Sequence, residues 1–278
     1  MNDNDLIQSV KDYYDSKEAD KFYQHILGRE NIHVGIYESP EQTMEEASQH
    51  TVLTMIKKMP VIKKSHKILD IGSGYGGAAR FIAQTYGCRV DCLNLSETQN
   101  KYNLAKVKKA ELEKTVTVTT GNFEQIPFSR ETYDFVWSQD AIMYSNIKDK
   151  VFREVARVLK PEGRFIFTDI LQSDDCPDGA LADVFAHSKI EGLGSVKLYK
   201  RLAGKADLER VFAKRMPGEL VTHFSKILEA IDAQYSKLAK QSGEAFVKKR
   251  MATIQALIDA GKKGYLGWGI LQFQKRNT

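Results

Sequence analysis

Three features of this sequence predict an α/β fold built on a mainly parallel sheet. Short apolar runs alternate with helix-length amphipathic stretches from His66 to Leu171. A glycine-rich turn, "GSGYGG" at 72–77, stands between the first apolar run and the helix after it. A last apolar run, "GYLGWGILQFQK" at 264–275, returns after the alternation has stopped.

Residues 5–27 predict a helix, with Leu6, Val10, Tyr13, Tyr14, Phe22 and Ile26 forming its apolar stripe. "GRENIHVGIYESP" at 28–40 reads as a loop closed by Pro40, and a second helix follows over 41–58. Strands are expected at 66–71, 88–94, 115–120, 133–138 and 164–171, with helices at 76–86, 96–113 and 147–159 between them. Strands separated by helices imply right-handed crossovers and parallel pairing. Their near-continuous apolar runs suit a sheet covered on both faces. "KPEG" at 160–163 predicts a turn before the fifth strand. "QSDDCPDG" then opens a loop, 180–206 is mixed, and a short strand falls at 209–215. Residues 219–262 predict two lysine-rich helices broken near "KQSGE", and 264–275 closes the chain as a strand. The lysines of 226–263 read as a solvated helix face. The domains expected are an N-terminal helical cap (1–60), a core (61–217), a helical lid insertion (218–263) and a final core strand (264–278).

Composition narrows the function classes. The 278 residues are 42% hydrophobic, enough for a sizeable core, and the formal charge of +5 is too mild and too diffuse to argue for nucleic acid. Cys88, Cys92 and Cys176 lack zinc-type pairing and suit reduced thiols. The six histidines show no metal-ligand spacing, so no metal is expected. "MNDNDLIQSVKDYY" is polar and acidic, unlike a secretion signal, and no apolar run approaches a membrane span. The expectation is a soluble cytoplasmic protein, monomer or homodimer, with a small-molecule partner and neither nucleic acid nor membrane.

The glycine turn points to a nucleoside ligand. A strand's carboxyl end feeding a helix gathers free backbone N–H groups and a positive dipole at one place. Asp70 lies two residues before the first glycine, where it can brace the loop. The second strand ends at Asn94, where ribose hydroxyls are read, and the fourth ends in the polar "WSQDAIMY". These groups surround one crevice at the carboxyl ends of the strands. A NAD-dependent oxidoreductase on the same sheet would call for an acidic reader in place of Asn94 and for catalytic residues in a second domain.

"ILDIGSGYGG", "LNLSETQN", "GNFEQIPF", "YDFVWSQDAIMY" and "VFREVARVLKPEGRFIFTDI" resemble, in order, the motifs of class I S-adenosylmethionine (SAM)-dependent methyltransferases. That likeness covers 66–171. "NLSETQN", "SQDAI", "IHVGIYE" and "LVTHFSKI…WGILQFQK" extend it over nearly the whole chain and resemble sarcosine/dimethylglycine N-methyltransferases, which make glycine betaine. The fold implied is a Rossmann-like, mostly parallel sheet with an antiparallel C-terminal strand, N-terminal helices and a helical lid insertion. The cofactor implied is SAM.

By this resemblance Gly72, Ser73 and Gly74 cradle the methionine part of SAM. Asn94 and Leu95 meet the ribose and adenine edge, with Gln99 nearby. Asn122 and Phe123 address the adenine, and Ser138 and Gln139 lie under the reactive end. The broad class carries an acidic residue at the Asn94 position; an amide still exchanges hydrogen bonds with ribose hydroxyls, and the betaine subfamily is similar here.

Methyl transfer from a sulfonium is an in-line displacement, so the enzyme must align, desolvate and deprotonate the acceptor amine. His33, Tyr37, Asp140 and His223 are the candidates around that step, each with a structural alternative as helix, core or loop packing. Tyr23, Tyr37, Tyr144 and Trp268 offer aromatic faces to a methylated ammonium. Lys189 and Lys197 are the candidates for the acceptor's carboxylate. The resemblance leads to an arginine beside Lys189; "AHSKIEGLGS" places His187 or Ser188 there instead. The alternatives are a methyltransferase for another small acceptor (phosphoethanolamine, or a natural-product amine, carbon or oxygen) and a SAM-binding module without catalysis.

Overall fold

Apolar runs bounded by turns become seven strands in one sheet. The computed structural model describes residues 3–188 and 190–277. In chain order the strands are β1 (Lys67–Ile71), β2 (Arg89–Asn94), β3 (Val116–Thr120), β4 (Tyr133–Gln139), β5 (Leu159–Gln172), β6 (Leu208–Arg215) and β7 (Leu266–Lys275). Their spatial order is β3-β2-β1-β4-β5-β7-β6. Pairings among β1 to β5 are parallel, and β7 runs antiparallel to both β5 and β6. The helices are α1 (Asp3–Asp15), α2 (Lys17–Leu27), α3 (Met44–Ile56), α4 (Gly77–Tyr86), α5 (Glu97–Lys109), α6 (Lys148–Val158), α7 (Ala182–His187), α8 (Val196–Lys205), α9 (Pro217–Ala233), α10 (Tyr235–Ser242) and α11 (Glu244–Lys262).

Both sheet faces are covered, as the continuous apolar strands require. Ile68 and Val90 pack with Ala79 and Ile82 of α4 on one side; Leu69 and Leu93, from the same two strands, belong to the cluster with Phe152 of α6 and Tyr199 of α8 on the other. Buried Asp169 of β5 accepts a hydrogen bond from the Tyr199 hydroxyl, so it serves packing rather than a pocket. A third core lies above the strand ends, where Phe22, Tyr23 and Ile26 of α2 meet Ile227 and Ile231 of α9 and Val247 and Ile254 of α11.

Local chemistry explains where the elements depart from expectation. The single helix expected over 5–27 is two, because Ser16 leaves helical conformation (ψ 143°) and its hydroxyl caps α2 by accepting from the Ala19 N–H. "KPEG" does not precede the fifth strand but lies within it. The β4–β5 register jumps from Tyr133–Leu159 to Phe135–Arg164 there, and Glu162 takes φ 63°. The two helices expected over 219–262 are three: Gly243 (φ 85°) separates α10 from α11, and a further break falls at Gln234. This helical segment connects β6 to β7, neighbours in the sheet, and stands over the carboxyl ends of the parallel strands.

Candidate active site

The turn after β1 is shaped by its glycines. The Gly72 N–H donates to the Leu93 carbonyl (2.8 Å), tying the loop to β2. Gly72 (φ 71°) and Gly74 (φ 55°) need the left-handed region. A Cβ on Gly74 would meet nothing within 4 Å, because that side faces an open cavity. Gly76 has a different reason: a Cβ there would strike the Asn103 side chain at 2.1 Å. Ser138 is fully buried, and its hydroxyl donates to the Ile71 carbonyl (2.8 Å), so it braces the turn from below without lining the cavity.

The cavity holds about 350 Å³. Asp70, Gly72, Ser73 and Gly74 line one end, and burial pushes the Asp70 carboxyl up to about 7. Asn94, Leu95 and Gln99 come next. The Asn94 amide donates to Gln99 Oε1 (3.0 Å), which leaves Gln99 Nε2 buried without a partner. Asn122 and Phe123 close that side, Asn122 Oδ1 accepting from the Glu124 N–H (2.9 Å). Gln139 lines the cavity with its Nε2 unpartnered, its Oε1 being taken by the Trp137 indole (3.0 Å).

His33, Asp140, Tyr23, Tyr144 and His223 line the same cavity. His33 Nδ1 contacts the Val34 carbonyl (3.2 Å), so that nitrogen carries the proton; Nε2 is buried with no partner, and burial lowers the ring's pKa. His223 Nδ1 accepts from the Gly35 N–H (3.3 Å) and from the Tyr37 hydroxyl (2.8 Å), which fixes its proton on Nε2, and burial presses its pKa to about 3. Tyr37 itself stands behind His223, outside the lining. The Asp140 carboxylate is held by three donors: the Val34 N–H (2.7 Å), the Thr168 hydroxyl (2.7 Å) and the Trp268 indole N–H (2.7 Å). Trp268 is thereby buried in β7 and offers no face to the cavity. Lys197 lies exposed in the first turn of α8, away from the cavity, and Lys189 falls outside the described residues. No cluster of three or more His, Cys, Asp or Glu side chains suited to a metal occurs among the described residues.

A family model described as a methyltransferase domain matches residues 69–167. The chain is 40% identical to the sarcosine/dimethylglycine N-methyltransferase of Aphanothece halophytica, across 97% of this chain and 98% of that protein. The chain belongs to the sarcosine/dimethylglycine N-methyltransferase family. It is also 37% identical to the glycine/sarcosine/dimethylglycine N-methyltransferase of Actinopolyspora halophila over 95% of its length, and spans about half (47%) of that protein. A candidate sarcosine dimethylglycine methyltransferase from Galdieria sulphuraria has a solved structure that matches with a TM-score of 0.91 at 36% identity, covering 96% of this chain and all (100%) of that one.

The cofactor of this methyltransferase is SAM, and the cavity has the chemistry to take it. Ser73 Oγ, Gln99 Nε2 and Gln139 Nε2 are buried polar atoms without partners. Such atoms cost free energy unless a ligand or water satisfies them. They line the same cavity as Gly74 and the buried Asp70 carboxyl, at the carboxyl ends of the adjacent strands β2, β1 and β4. A ligand with a charged amino-acid end, ribose hydroxyls and a base matches that order.

The cavity of this methyltransferase also has lining residues that the sequence pattern did not single out. Tyr13 and Tyr14 of α1 read as an apolar stripe, yet both line the cavity; the Tyr14 hydroxyl donates to the Tyr144 hydroxyl (2.9 Å), and those of Tyr13 and Tyr23 share a bond (3.2 Å). Arg250 of α11 lines it too. A signal was present: Arg250 stands three residues after Val247 and four before Ile254, on the stripe that α11 buries.

Proposed function

We propose that this methyltransferase transfers the methyl group of SAM to the amine of sarcosine and of dimethylglycine, giving glycine betaine, as a soluble cytoplasmic enzyme. The observation that carries the reading is the wall facing the cofactor side: aromatic rings and a buried neutral imidazole with a free lone pair, enclosed together. The family membership above supports the choice of acceptor.

SAM, when bound, supplies an electrophilic methyl group on a sulfonium. Gly72, Ser73, Gly74 and Asp70 hold its amino-acid end, Asn94 and Gln99 its ribose, and Asn122 and Phe123 its base. On the acceptor side, an amino-acid amine is mostly protonated near neutral pH, and only its free base attacks. His33 Nε2 is the atom suited to take that proton, because it bears a lone pair and no partner. A positioned general base contributes roughly 10²–10⁴-fold. His223 donates from Nε2 and so orients rather than deprotonates. Asp140 is saturated by donors and pins the 28–40 segment and β7 beside the site. Tyr14, Tyr23 and Tyr144 present ring faces to the ammonium, each worth about 0.5–2 kcal/mol. Enclosure excludes water and aligns amine with methyl, which can supply on the order of 7–11 kcal/mol in favourable cases.

The test is a panel of small amines incubated with enzyme and SAM, with S-adenosylhomocysteine and methylated product detected by mass. Sarcosine and dimethylglycine should turn over best. Turnover confined to phosphoethanolamine or to a carbon or oxygen nucleophile would overturn the reading.

A further inference from the structure

An arginine side chain is always charged in a protein, and inside a cavity wall it normally meets a carboxylate. Arg250 breaks that pattern. Its side chain is half-buried in α11 and lines the cavity. Its Nε is buried with no hydrogen-bond partner, and it forms no ion pair among the described residues. The neighbouring acids are committed elsewhere: Asp20 to Arg29, Glu30 to Arg80 and Lys106, and Asp15 to Lys11. What surrounds the guanidinium is aromatic. It stands over the rings of Tyr13 and Phe22, at 5.8 Å from each centroid. Burial pushes the phenols of Tyr13, Tyr14 and Tyr144 up, so these neighbours are neutral. Lys249, the next residue back, also lines the cavity.

We propose that Arg250 is the carboxylate-recognising residue of the acceptor site, its unpartnered guanidinium set among the tyrosine rings to take the carboxylate of an N-methylated amino acid. The inference rests on the function proposed above and deepens it. The planar fork of arginine matches a carboxylate with two parallel hydrogen bonds. In a small α-amino acid the carboxylate is one carbon from the amine. Anchoring it at Arg250 therefore leaves the amine among the rings of Tyr14, Tyr23 and Tyr144. The carboxylate also supplies the anion that a lone guanidinium in a partly dehydrated wall lacks. Acceptors without a carboxylate leave that charge unmatched, so one residue both binds the acceptor and rejects simple amines.

The test compares wild type with Arg250→Met and Arg250→Lys on dimethylglycine and on dimethylaminoethanol, which keeps the amine and lacks the carboxylate. SAM affinity and thermal melting are measured alongside. For the wild type, kcat/KM should favour dimethylglycine by at least a hundredfold. Arg250→Met should lose that preference through a rise in KM for dimethylglycine, Arg250→Lys should keep part of it, and SAM affinity should stay within threefold. Arg250→Gln replaces Arg250→Met if the latter does not fold. Unchanged kcat/KM on dimethylglycine in a folded charge-deleting variant would overturn the inference. So would a tenfold loss of SAM affinity, which would assign Arg250 to the cofactor. If the wild type instead methylates a different amino acid in an Arg250-dependent way, the inference stands and the acceptor proposed above fails. Calorimetry on S-adenosylhomocysteine-loaded enzyme reads carboxylate binding without turnover; no Arg250-dependent binding of any methylated amino acid would overturn the inference outright.

Discussion

Tyr37 reaches across from the 28–40 segment to donate its hydroxyl to Nδ1 of His223 in α9, at 2.8 Å. Both residues carry polar groups that suit chemistry, but the bond gives them different work. Tyr37 sits behind the ring and sets its tautomer together with the Gly35 N–H; His223 alone faces the cavity. Tyr37→Phe should therefore cost about 1 kcal/mol of stability, the usual value of one such bond. It should lower kcat less than tenfold, with SAM affinity unchanged. Denaturant unfolding and steady-state rates check this, and a thousandfold fall in kcat would place Tyr37 in the chemistry after all.

Gly74 separates folding from cofactor binding. Its Cβ would meet no atom within 4 Å, so Gly74→Ala should fold, at a cost of about 1–2 kcal/mol for holding alanine in the left-handed region. The added methyl would occupy the space that the proposal above gives to SAM. Titration calorimetry should show at least a tenfold weaker SAM affinity, and an unaltered affinity would remove Gly74 from the cofactor cradle.

If Asp70 holds the amino-acid end of SAM as proposed above, cofactor binding depends on pH. Burial raises its carboxyl from 3.8 in the unfolded chain to about 7 in the folded one. Between those values the folded state binds the extra proton, so this group's contribution to stability falls as pH rises, and its full cost is present above pH 7. An ammonium group pairs only with the ionised form. SAM affinity should rise with pH from 6 to 8 and then level off, while Asp70→Asn should bind weakly with that rise abolished. The free Asp70→Asn protein should melt higher than wild type at pH 8, where the wild type carries a buried charge.

His33 is the proton acceptor in our assignment. His33→Gln keeps a polar side chain of similar reach but removes the basic nitrogen. At pH 7 it should lose roughly 10²–10⁴ in kcat/KM for the acceptor. The loss should shrink as pH approaches the amine's own pKa, where free base arrives from solution. A pH–rate profile with and without the substitution decides it, and a loss constant across pH would point to a structural role.

The sheet was legible because strand ends, glycine turns and apolar runs are local signals. Asp70, the glycines, Asn94 and Gln99 sit on those ends, so their placement follows from topology alone. The acceptor wall was not legible in the same way. It is assembled from α1, α2, α9, α11 and the turn after β4, and only tertiary packing brings Tyr14 to Tyr144 or Tyr37 to His223. Trp268 illustrates the difficulty: an aromatic side chain near the site read as a face for a cation, yet its indole N–H is spent on Asp140 inside the sheet. Arg250 illustrates the reverse, since a helix rich in lysines hid a basic residue that stands between Val247 and Ile254 of its buried stripe and lines the cavity.

The helices carrying His223 and Arg250 leave the sheet at Arg215 and rejoin it at Leu266, and these two strands are hydrogen-bonded neighbours. The segment is thus a closed loop whose ends are fixed by strand pairing. The entropy of closing such a loop grows only logarithmically, about 0.6 kcal/mol for each doubling of its length. Loop closure alone therefore opposes changes of length here only weakly, and the cost of altering these helices is set by the apolar contacts of α9 and α11 with α2, whereas the glycine turn and Asn94 sit on strand ends whose positions the sheet fixes. The architecture therefore divides the molecule into strand ends fixed by the sheet and a helical segment whose length the sheet leaves open, so that on the assignment proposed above acceptor choice can change while the methyl-donor scaffold stays the same.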